Sequence, residues 1–241
     1  MKISVLTPSY NSGKYLEKAI LSVIKQDCPS FEHIVFDGGS TDDTVQVLKK
    51  YPHLKWVSES DKGQSDAMNK AFAISSGEII VYLNADDYFA EGAFKEVLSA
   101  FESYPKTDMV VGNLYFTTEH GTLTRKPTGK YHQIIQYWKN RFPNNPVSYF
   151  YRRRVQEEIG LFSIDNHYSM DVFFLLEAYK KFKILKIEKV LGTFYSDGNN
   201  KTALIDSGFY LHKTVKSHLK KENSFLLLYF YFKLWLAKTT Q

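Results

Sequence analysis

Apolar positions in the first third of the chain follow two alternating rhythms. Short β-branched runs stand between longer stretches in which apolar side chains return every three or four residues. Residues 2–6, Lys2-Ile3-Ser4-Val5-Leu6, predict a strand closed by Thr7-Pro8-Ser9. Tyr15, Leu16, Ala19, Ile20, Val23 and Ile24 then make a helical stripe, with Asn11 or Ser12 placed to cap it. Residues 33–36 predict a second strand ending at Asp37-Gly38-Gly39-Ser40, after which Thr41 or Asp42 opens a helix carrying Val45, Val47 and Leu48. Residues 55–57 predict a third strand, 65–74 a third helix closed by Ser76-Gly77, and 79–83 a fourth strand. Such alternation predicts an α/β fold: a mostly parallel, Rossmann-like sheet flanked by helices.

The second half is less regular. Residues 108–116 and 123–125 predict strands around a turn at His120-Gly121, and 184–187 and 192–195 predict two more. Residues 134–138 and 155–159 predict short helices, and 170–179 an amphipathic one. No repeat or Pro/Gly-rich linker divides the chain. The expectation is one domain over 1–210, in halves 1–115 and 116–210, with a basic and apolar helical tail over 211–241.

Composition narrows the function classes. With 44% hydrophobic and 16% aromatic residues, the 241-residue chain can bury a sizeable core. A net charge of +5 suits anionic small molecules, whereas nucleic-acid binding calls for a concentrated basic stripe. Cys28 is alone, which excludes an intramolecular disulfide and a multi-cysteine metal site and makes a reducing cytoplasm the expected setting. The N-terminus lacks a signal-peptide layout because Pro8 ends its short apolar run. No stretch approaches the ~20 apolar residues of a membrane span; residues 225–237 come nearest.

In open parallel sheets, ligands bind beyond the C-terminal ends of the strands. Thr7-Pro8-Ser9, Asp37-Gly38-Gly39-Ser40, Ser58-Glu59-Ser60-Asp61 and Asn84-Ala85-Asp86-Asp87 all follow strands, so they are expected to line one rim. A rim so rich in carboxylates repels a phosphate unless a cation lies between them. Asp86 and Asp87 suit Mg²⁺ or Mn²⁺ shared with a diphosphate, or else form a polar turn with Asp87 capping a helix over 91–101. Asp37 is placed to accept from a base N–H, or simply to end a strand-to-helix turn. Asp61, Lys62, Gln64, Asp66 and Asn69 crowd a loop and one helical turn; they suit sugar hydroxyls, or a solvated helix start.

Four motifs in order carry a resemblance: Ile3-Ser4-Val5-Leu6-Thr7-Pro8-Ser9-Tyr10-Asn11, Phe36-Asp37-Gly38-Gly39-Ser40-Thr41-Asp42-Asp43-Thr44, Asp61-Lys62-Gly63-Gln64-Ser65-Asp66-Ala67-Met68-Asn69 and Tyr82-Leu83-Asn84-Ala85-Asp86-Asp87. Together they resemble family 2 glycosyltransferases of the GT-A fold, the nucleotide-diphospho-sugar transferase type, from bacterial surface-polysaccharide biosynthesis. The resemblance implies a nucleotide-sugar half over 1–115 and a variable acceptor half over 116–210. It implies that Thr7, Pro8 and Tyr10 border the base and that Asp37 reads its edge. Asp61, Lys62, Gln64, Asn69, Asn84 and Ala85 then contact the donor. Asp86 matches the second acid of the family's Asp-x-Asp metal motif, with Asp87 beside it, while Asn84 replaces the first acid. Mg²⁺ or Mn²⁺ is the implied cofactor and UDP the preferred nucleotide.

The resemblance also implies an inverting transfer, with Asp171 at a helix start as the base that deprotonates an acceptor hydroxyl and Asp165 as its rival. Asn144-Asn145-Pro146 through Arg152-Arg153-Arg154 resembles the acceptor-facing part, and its arginines are either a solvated helix start or a site for a lipid-diphosphate acceptor. The segment with Ser196, Asp197, Gly198 and Lys201 resembles a late loop that folds over the diphosphate. The expected partners are therefore a UDP-sugar and a glycan or lipid-linked saccharide, with no nucleic acid. Lys213, Lys216, Lys220 and Lys221 precede the apolar run 225–237, which reads either as an interfacial helix at an anionic membrane or as a core-packing or dimer-forming helix. The competing function is a non-catalytic nucleotide-sugar or glycan-binding module on the same fold, for which Asn84 argues. A nicotinamide oxidoreductase is disfavoured because Thr7-Pro8-Ser9-Tyr10-Asn11 is no Gly-x-Gly-x-x-Gly turn.

Overall fold

The computed structural model describes residues 1–136, 141–165, 170–198 and the single positions 214, 216, 217 and 220. Lys201, Lys213, Lys221 and the run 225–237 lie outside the described residues, and so does most of the expected tail.

The predicted alternation is present. Strands β1 (Ile3–Ser9), β2 (Phe31–Asp37), β3 (Lys55–Ser58) and β4 (Ile79–Tyr82) alternate with helices α1 (Gly13–Ile24), α2 (Thr44–Lys49) and α3 (Gln64–Ala73). They are followed by β5 (Tyr88–Phe89), α4 (Ala93–Ser103), β6 (Met109–Thr118), β7 (Gly121–Arg125) and α5 (Tyr131–Gln136). A 3₁₀ turn (Pro146–Ser148) leads into β8 (Tyr149–Arg152), α6 (Arg153–Ile159), α7 (Met170–Lys181) and β9 (Ile184–Tyr195). Among the described residues they form one sheet of order β3-β2-β1-β4-β8-β6-β9-β5, with β7 beside β6.

The β3-β2-β1-β4 half is parallel throughout. Beyond β4 the sheet becomes mixed, because β8 runs antiparallel to both β4 and β6 while β6 and β9 are parallel. Its aromatic run Tyr149-Phe150-Tyr151 is a buried strand, and short apolar runs of this kind carry no periodicity to identify them. The two strands expected near 184 and 195 are one, with register shifts against Val111, Asn113 and Leu114.

Period-two alternation sorts the central strands onto two faces. Leu6, Ile34, Phe36, Ile80 and Tyr82 face Ala67, Met68, Ala71 and Phe72 of α3 and Val172, Phe174, Leu175 and Leu176 of α7. Ile3, Val5, Ile79 and Val81 face Ala19 and Val23 of α1 and Phe94, Val97 and Phe101 of α4. Truncating one such Leu or Ile to Ala costs roughly 2–5 kcal/mol.

Backbone pairing explains why β1 tolerates Pro8. Ile79 N donates to Lys2 O and Leu83 N to Leu6 O, so even-numbered positions of β1 face β4. The paired register with β4 ends at Leu6 and Tyr82. Pro8 therefore lies past the last donor-requiring position, where its missing N–H is not needed.

Candidate functional site

The parallel register aligns the polar clusters side by side. Ser9 pairs with Asp37, and Asp37 with Ser58, while β4 delivers Leu83 and then Asn84 to the same end. The rim expected from sequence therefore exists, but its residues divide into those that face outward and those that hold the loops in shape.

Asp37 belongs to the second group. It is fully buried, and its carboxylate accepts from Ser40 N (2.9 Å), Ser58 Oγ (2.7 Å) and Ser40 Oγ. The expected reader of a base edge is thus a carboxylate already occupied by the turn around it. Thr7 is likewise buried and shares a 2.9 Å hydrogen bond with His33 Nε2, and Pro8 is covered. Burial and, second, the charge of His53 lower the His33 pKa to about 3, so this imidazole is neutral. Tyr10, by contrast, is 64% exposed at the strand end. Ser40 Oγ accepts from Asn11 N at 2.7 Å, and Asn11 Oδ1 accepts from Thr41 N at 2.9 Å, which locks this first loop to the second.

Gly38 and Asp61 form the next contact. A Cβ at Gly38 would lie 2.6 Å from Asp61 Oδ2, so only glycine lets this carboxylate lie against the strand-end backbone. Asp61 Oδ1 accepts from Gly63 N at 2.7 Å. Gly63 has φ 105 and stands immediately before α3, a conformation that favours glycine. Lys62 is exposed, and its backbone N–H donates to Asp66 Oδ2 at 3.0 Å.

The Asn84-Ala85-Asp86-Asp87 loop is organised from below. Asp87 is only 1% exposed and does not cap α4, whose N-cap is Gly92. Its Oδ2 accepts from Asn84 Nδ2 (2.9 Å) and Asn145 Nδ2 (2.8 Å), and its Oδ1 from Tyr195 N (3.0 Å). Burial and, second, the Asp86 carboxylate push the Asp87 pKa up to about 8 against these three donors. Both Asp87 oxygens are therefore engaged by protein N–H groups, which disfavours it as a direct metal ligand. Ala85 is buried among Leu16, Ile20 and Val35. Asn84 Oδ1 accepts from Gln64 Nε2 at 3.2 Å, so both predicted donor contacts brace the loop. Asp86, like Asn84, is half-buried, while Ala85 and Asp87 are buried.

Among the described residues no three His, Cys, Asp or Glu gather into a metal cluster. A single strand-end carboxylate does fit Mg²⁺ or Mn²⁺, which take one or two protein carboxylates and complete the octahedron with phosphate oxygens and water.

The second half reaches this rim through polar ties. Asn69 does not point to a free donor surface: its Nδ2 donates to Phe162 O (2.8 Å) and its Oδ1 accepts from Phe162 N (2.9 Å). Asp171 stands in the first turn of α7, half-buried, and accepts from Val172 N at 2.9 Å. Burial and, second, the Asp171 charge push the Tyr149 phenol pKa well up, which places Asp171 electrostatically beside β8. Asp165 is exposed. After β9, Tyr15 Oη donates to Asp197, and Lys14 lies 3.6 Å from the same carboxylate, so this segment is docked on the start of α1.

The three arginines lie elsewhere. Arg152 pairs with Ile79 at the start of β4, the end of the strand opposite Asn84, and donates to Thr107 O (2.8 Å). Arg153 donates to Gly77 O (2.8 Å) and Ser75 Oγ (2.7 Å), and Arg154 forms an ion pair with Asp108. All three are committed to the opposite end of the central strands from the rim, which corrects the reading of them as a lipid-diphosphate site. Residues with no individual role assigned from sequence matter here as well: Ser58, Tyr15, Asp197 and, above all, Asn145. An Asn before Pro146 signals a turn, but not that its amide reaches Asp87.

Comparison with known proteins agrees with this architecture. The family model described as Glycosyl transferase family 2 matches residues 4–170. An uncharacterized glycosyltransferase of Nostoc sp. is 29% identical over 177 residues, covering 68% of this chain and 54% of that protein. The poly(ribitol-phosphate) beta-N-acetylglucosaminyltransferase TarS of Staphylococcus aureus is 32% identical over 111 residues, covering 43% of this chain and 19% of TarS. The chain thus spans about half of the first relative's length and about a fifth of the second's. The crystal structure of S. aureus TarS 1-349 with UDP superposes with TM-score 0.72 at 22% identity, covering 91% of this chain and 65% of that one. A mannosyltransferase from Pyrobaculum calidifontis, in complex with GDP-Man and Mn²⁺, gives TM-score 0.69 at 15% identity, covering 100% and 76%. With the family match extending over more than half of its length, including every strand-end cluster of the rim, this chain belongs to glycosyl transferase family 2 and has the GT-A fold.

Proposed function

We propose that the chain is an inverting glycosyltransferase that moves a sugar from a nucleoside diphosphate, UDP preferred, to a hydroxyl of a glycan or lipid-linked saccharide in surface-polysaccharide synthesis. The observation that carries this is the rim itself: the C-terminal ends of β1, β2, β3 and β4 converge, and Asp86, in the loop after β4, is half-buried there while its neighbour Asp87 is buried. The complexes of the two structural neighbours, UDP in one and GDP-Man with Mn²⁺ in the other, support the donor class.

Tyr10 and the Gly38–Asp61 contact border the nucleoside, with Asp37 shaping that loop from beneath. Asp86 would hold Mg²⁺ or Mn²⁺, and such an ion would supply positive charge to the diphosphate. Asp87, Asn84 and Gln64 keep Asp86 at the rim. Asp171 takes the proton of the acceptor hydroxyl as its oxygen bonds to the anomeric carbon opposite the diphosphate, which inverts configuration.

The test uses Asp171→Asn in a radiolabelled UDP-sugar transfer assay with membrane-extracted acceptors, alongside UDP titration calorimetry with Mn²⁺. Transfer is expected to fall by roughly 10²–10⁴-fold with UDP affinity within twofold of wild type. Normal turnover, or parallel loss of UDP binding, removes Asp171 from the role of base.

A further inference from the structure

Asn145 is 2% exposed and lies outside all four donor-side motifs. Its carbonyl accepts from Ser148 N (3.1 Å) and Ser148 Oγ (2.8 Å), and its side-chain Oδ1 accepts from Val147 N at 2.9 Å. Because a backbone N–H can only donate, Oδ1 is the atom that faces Val147. Nδ2 is thereby turned toward Asp87, 2.8 Å from Oδ2. Asp87 receives its other donors from Asn84, in its own loop, and from Tyr195 N at the end of β9. Asn84 continues the chain of contacts to Gln64 at the start of α3. Three segments, its own loop among them, therefore meet on one buried carboxylate, a fourth joins through Asn84, and Asp86 is the residue beside it in sequence.

We infer that Asn145 is a positioning residue for the donor site: through Asp87 it holds the Asn84-Ala85-Asp86 loop so that the Asp86 carboxylate faces the rim. The inference rests on the reading of Asp86 as the residue that holds a divalent cation. A buried carboxylate oxygen that loses one of two N–H donors is underpaired in a place water does not reach, and the loop carrying it must shift to compensate. Partners that orient a metal-holding group from behind typically change metal affinity or activity by about 10–100-fold when removed.

The diagnostic substitution is Asn145→Asp. It keeps an oxygen to accept from Val147 N, so the turn retains its cap, but it sets an acceptor against Asp87 where a donor stood. Adding Asp87→Asn restores a donor to the pair from the other side. Asn145→Ser is the milder second variant, since its hydroxyl still caps the turn but falls short of Asp87. The readouts are calorimetric UDP titrations of the full chain with and without Mn²⁺, and thermal unfolding of the same samples.

Asn145→Asp is expected to weaken Mn²⁺-dependent UDP binding by about 10–100-fold, leaving Mn²⁺-independent UDP binding within twofold. Asn145→Ser shows a smaller loss of the same kind, and the Asn145→Asp, Asp87→Asn double variant binds more tightly than Asn145→Asp alone. A purely structural role would lower the unfolding temperature yet preserve the ratio of affinities with and without Mn²⁺. That result, or no recovery in the double variant, overturns the inference while the donor-site reading stands. Absence of Mn²⁺-dependent UDP binding in the wild type sinks both.

Discussion

Gly38→Ala isolates how much of the donor site depends on one close backbone approach. The new methyl group would lie 2.6 Å from Asp61 Oδ2, 3.0 Å from Cγ and 3.2 Å from Oδ1, and no positive φ at Gly38 adds strain of its own. Relief to ordinary contact, at or above 3.4 Å, requires Asp61 Oδ2 to retreat by about 0.8 Å, the difference 3.4 − 2.6. Asp61 is not free to retreat, because Oδ1 holds Gly63 N at 2.7 Å and Gly63 leads directly into α3. The cost comprises overpacking of roughly 1–3 kcal/mol, or the loss of one hydrogen bond of about 0.5–1.5 kcal/mol if the carboxylate swings away. The cheaper route wins, so urea unfolding should show a loss of about 1 kcal/mol.

Binding should suffer more than stability, since the displaced atoms are those proposed to border the nucleoside. UDP affinity by calorimetry is expected to fall by about tenfold, corresponding to roughly 1.4 kcal/mol. Asp61→Ser in the Gly38→Ala background removes the clash and should recover stability without recovering UDP binding. If Gly38→Ala binds UDP as wild type does while losing stability, the Gly38–Asp61 contact is a packing feature only and the reasoning fails.

Asn69→Ala removes both bonds to the Phe162 backbone and leaves a part-buried N–H and C=O without partners; urea unfolding should register a loss of roughly 1–3 kcal/mol, and a loss below a few tenths would show that the staple is dispensable. Glu32 supplies an acid-limb prediction: burial raises its pKa, but hydrogen bonds from Lys55, Ser4 and Ser76 outweigh burial and hold it well below the usual carboxylate range. Its folded-state pKa is depressed, so its stabilisation is complete above the unfolded value near 4.5 and drains as pH falls below it; Glu32→Gln should flatten the pH dependence of the unfolding temperature below pH 4.5, and an unchanged slope refutes this. His33, neutral when folded with a pKa of about 3, adds a loss that begins as pH falls through its unfolded value of 6.5; His33→Gln should remove the decline between pH 6.5 and 4.5, and persistence of that decline assigns it elsewhere.

The first half of the fold was legible because each of its elements is a local solution. Ile3, Val5 and Leu6, or Leu16, Ala19, Ile20 and Val23, bury a face whose period is written in adjacent residues. The rim followed from a topological rule and needed no contact information. What was not legible is which rim residues face outward, because that depends on partners far away in sequence. Asp37 and Asp86 each follow or end a strand beside small or acidic neighbours, yet Ser40 and Ser58, the latter twenty-one residues away, engage the Asp37 carboxylate and it is buried, whereas Asp86 stays half-buried. Asp87 is the sharper case. Its neighbours Asn84 and Asp86 make it look like a second metal acid, but Asn145 and Tyr195, fifty-eight and one hundred and eight residues away, convert it into the post on which the loop is hung. The three arginines fail in the same way: their charge suggested an anion, while β8 pairing with the start of β4 carries them to the wrong end of the sheet. A metal site with one outward carboxylate needs that carboxylate held stiffly, since the phosphates that complete the shell arrive with the substrate. On the proposed reading the burial of Asp87 next to Asp86 in sequence meets that need, and its bonds to Asn145 and Tyr195 join the rim to the half of the chain that carries Asp171.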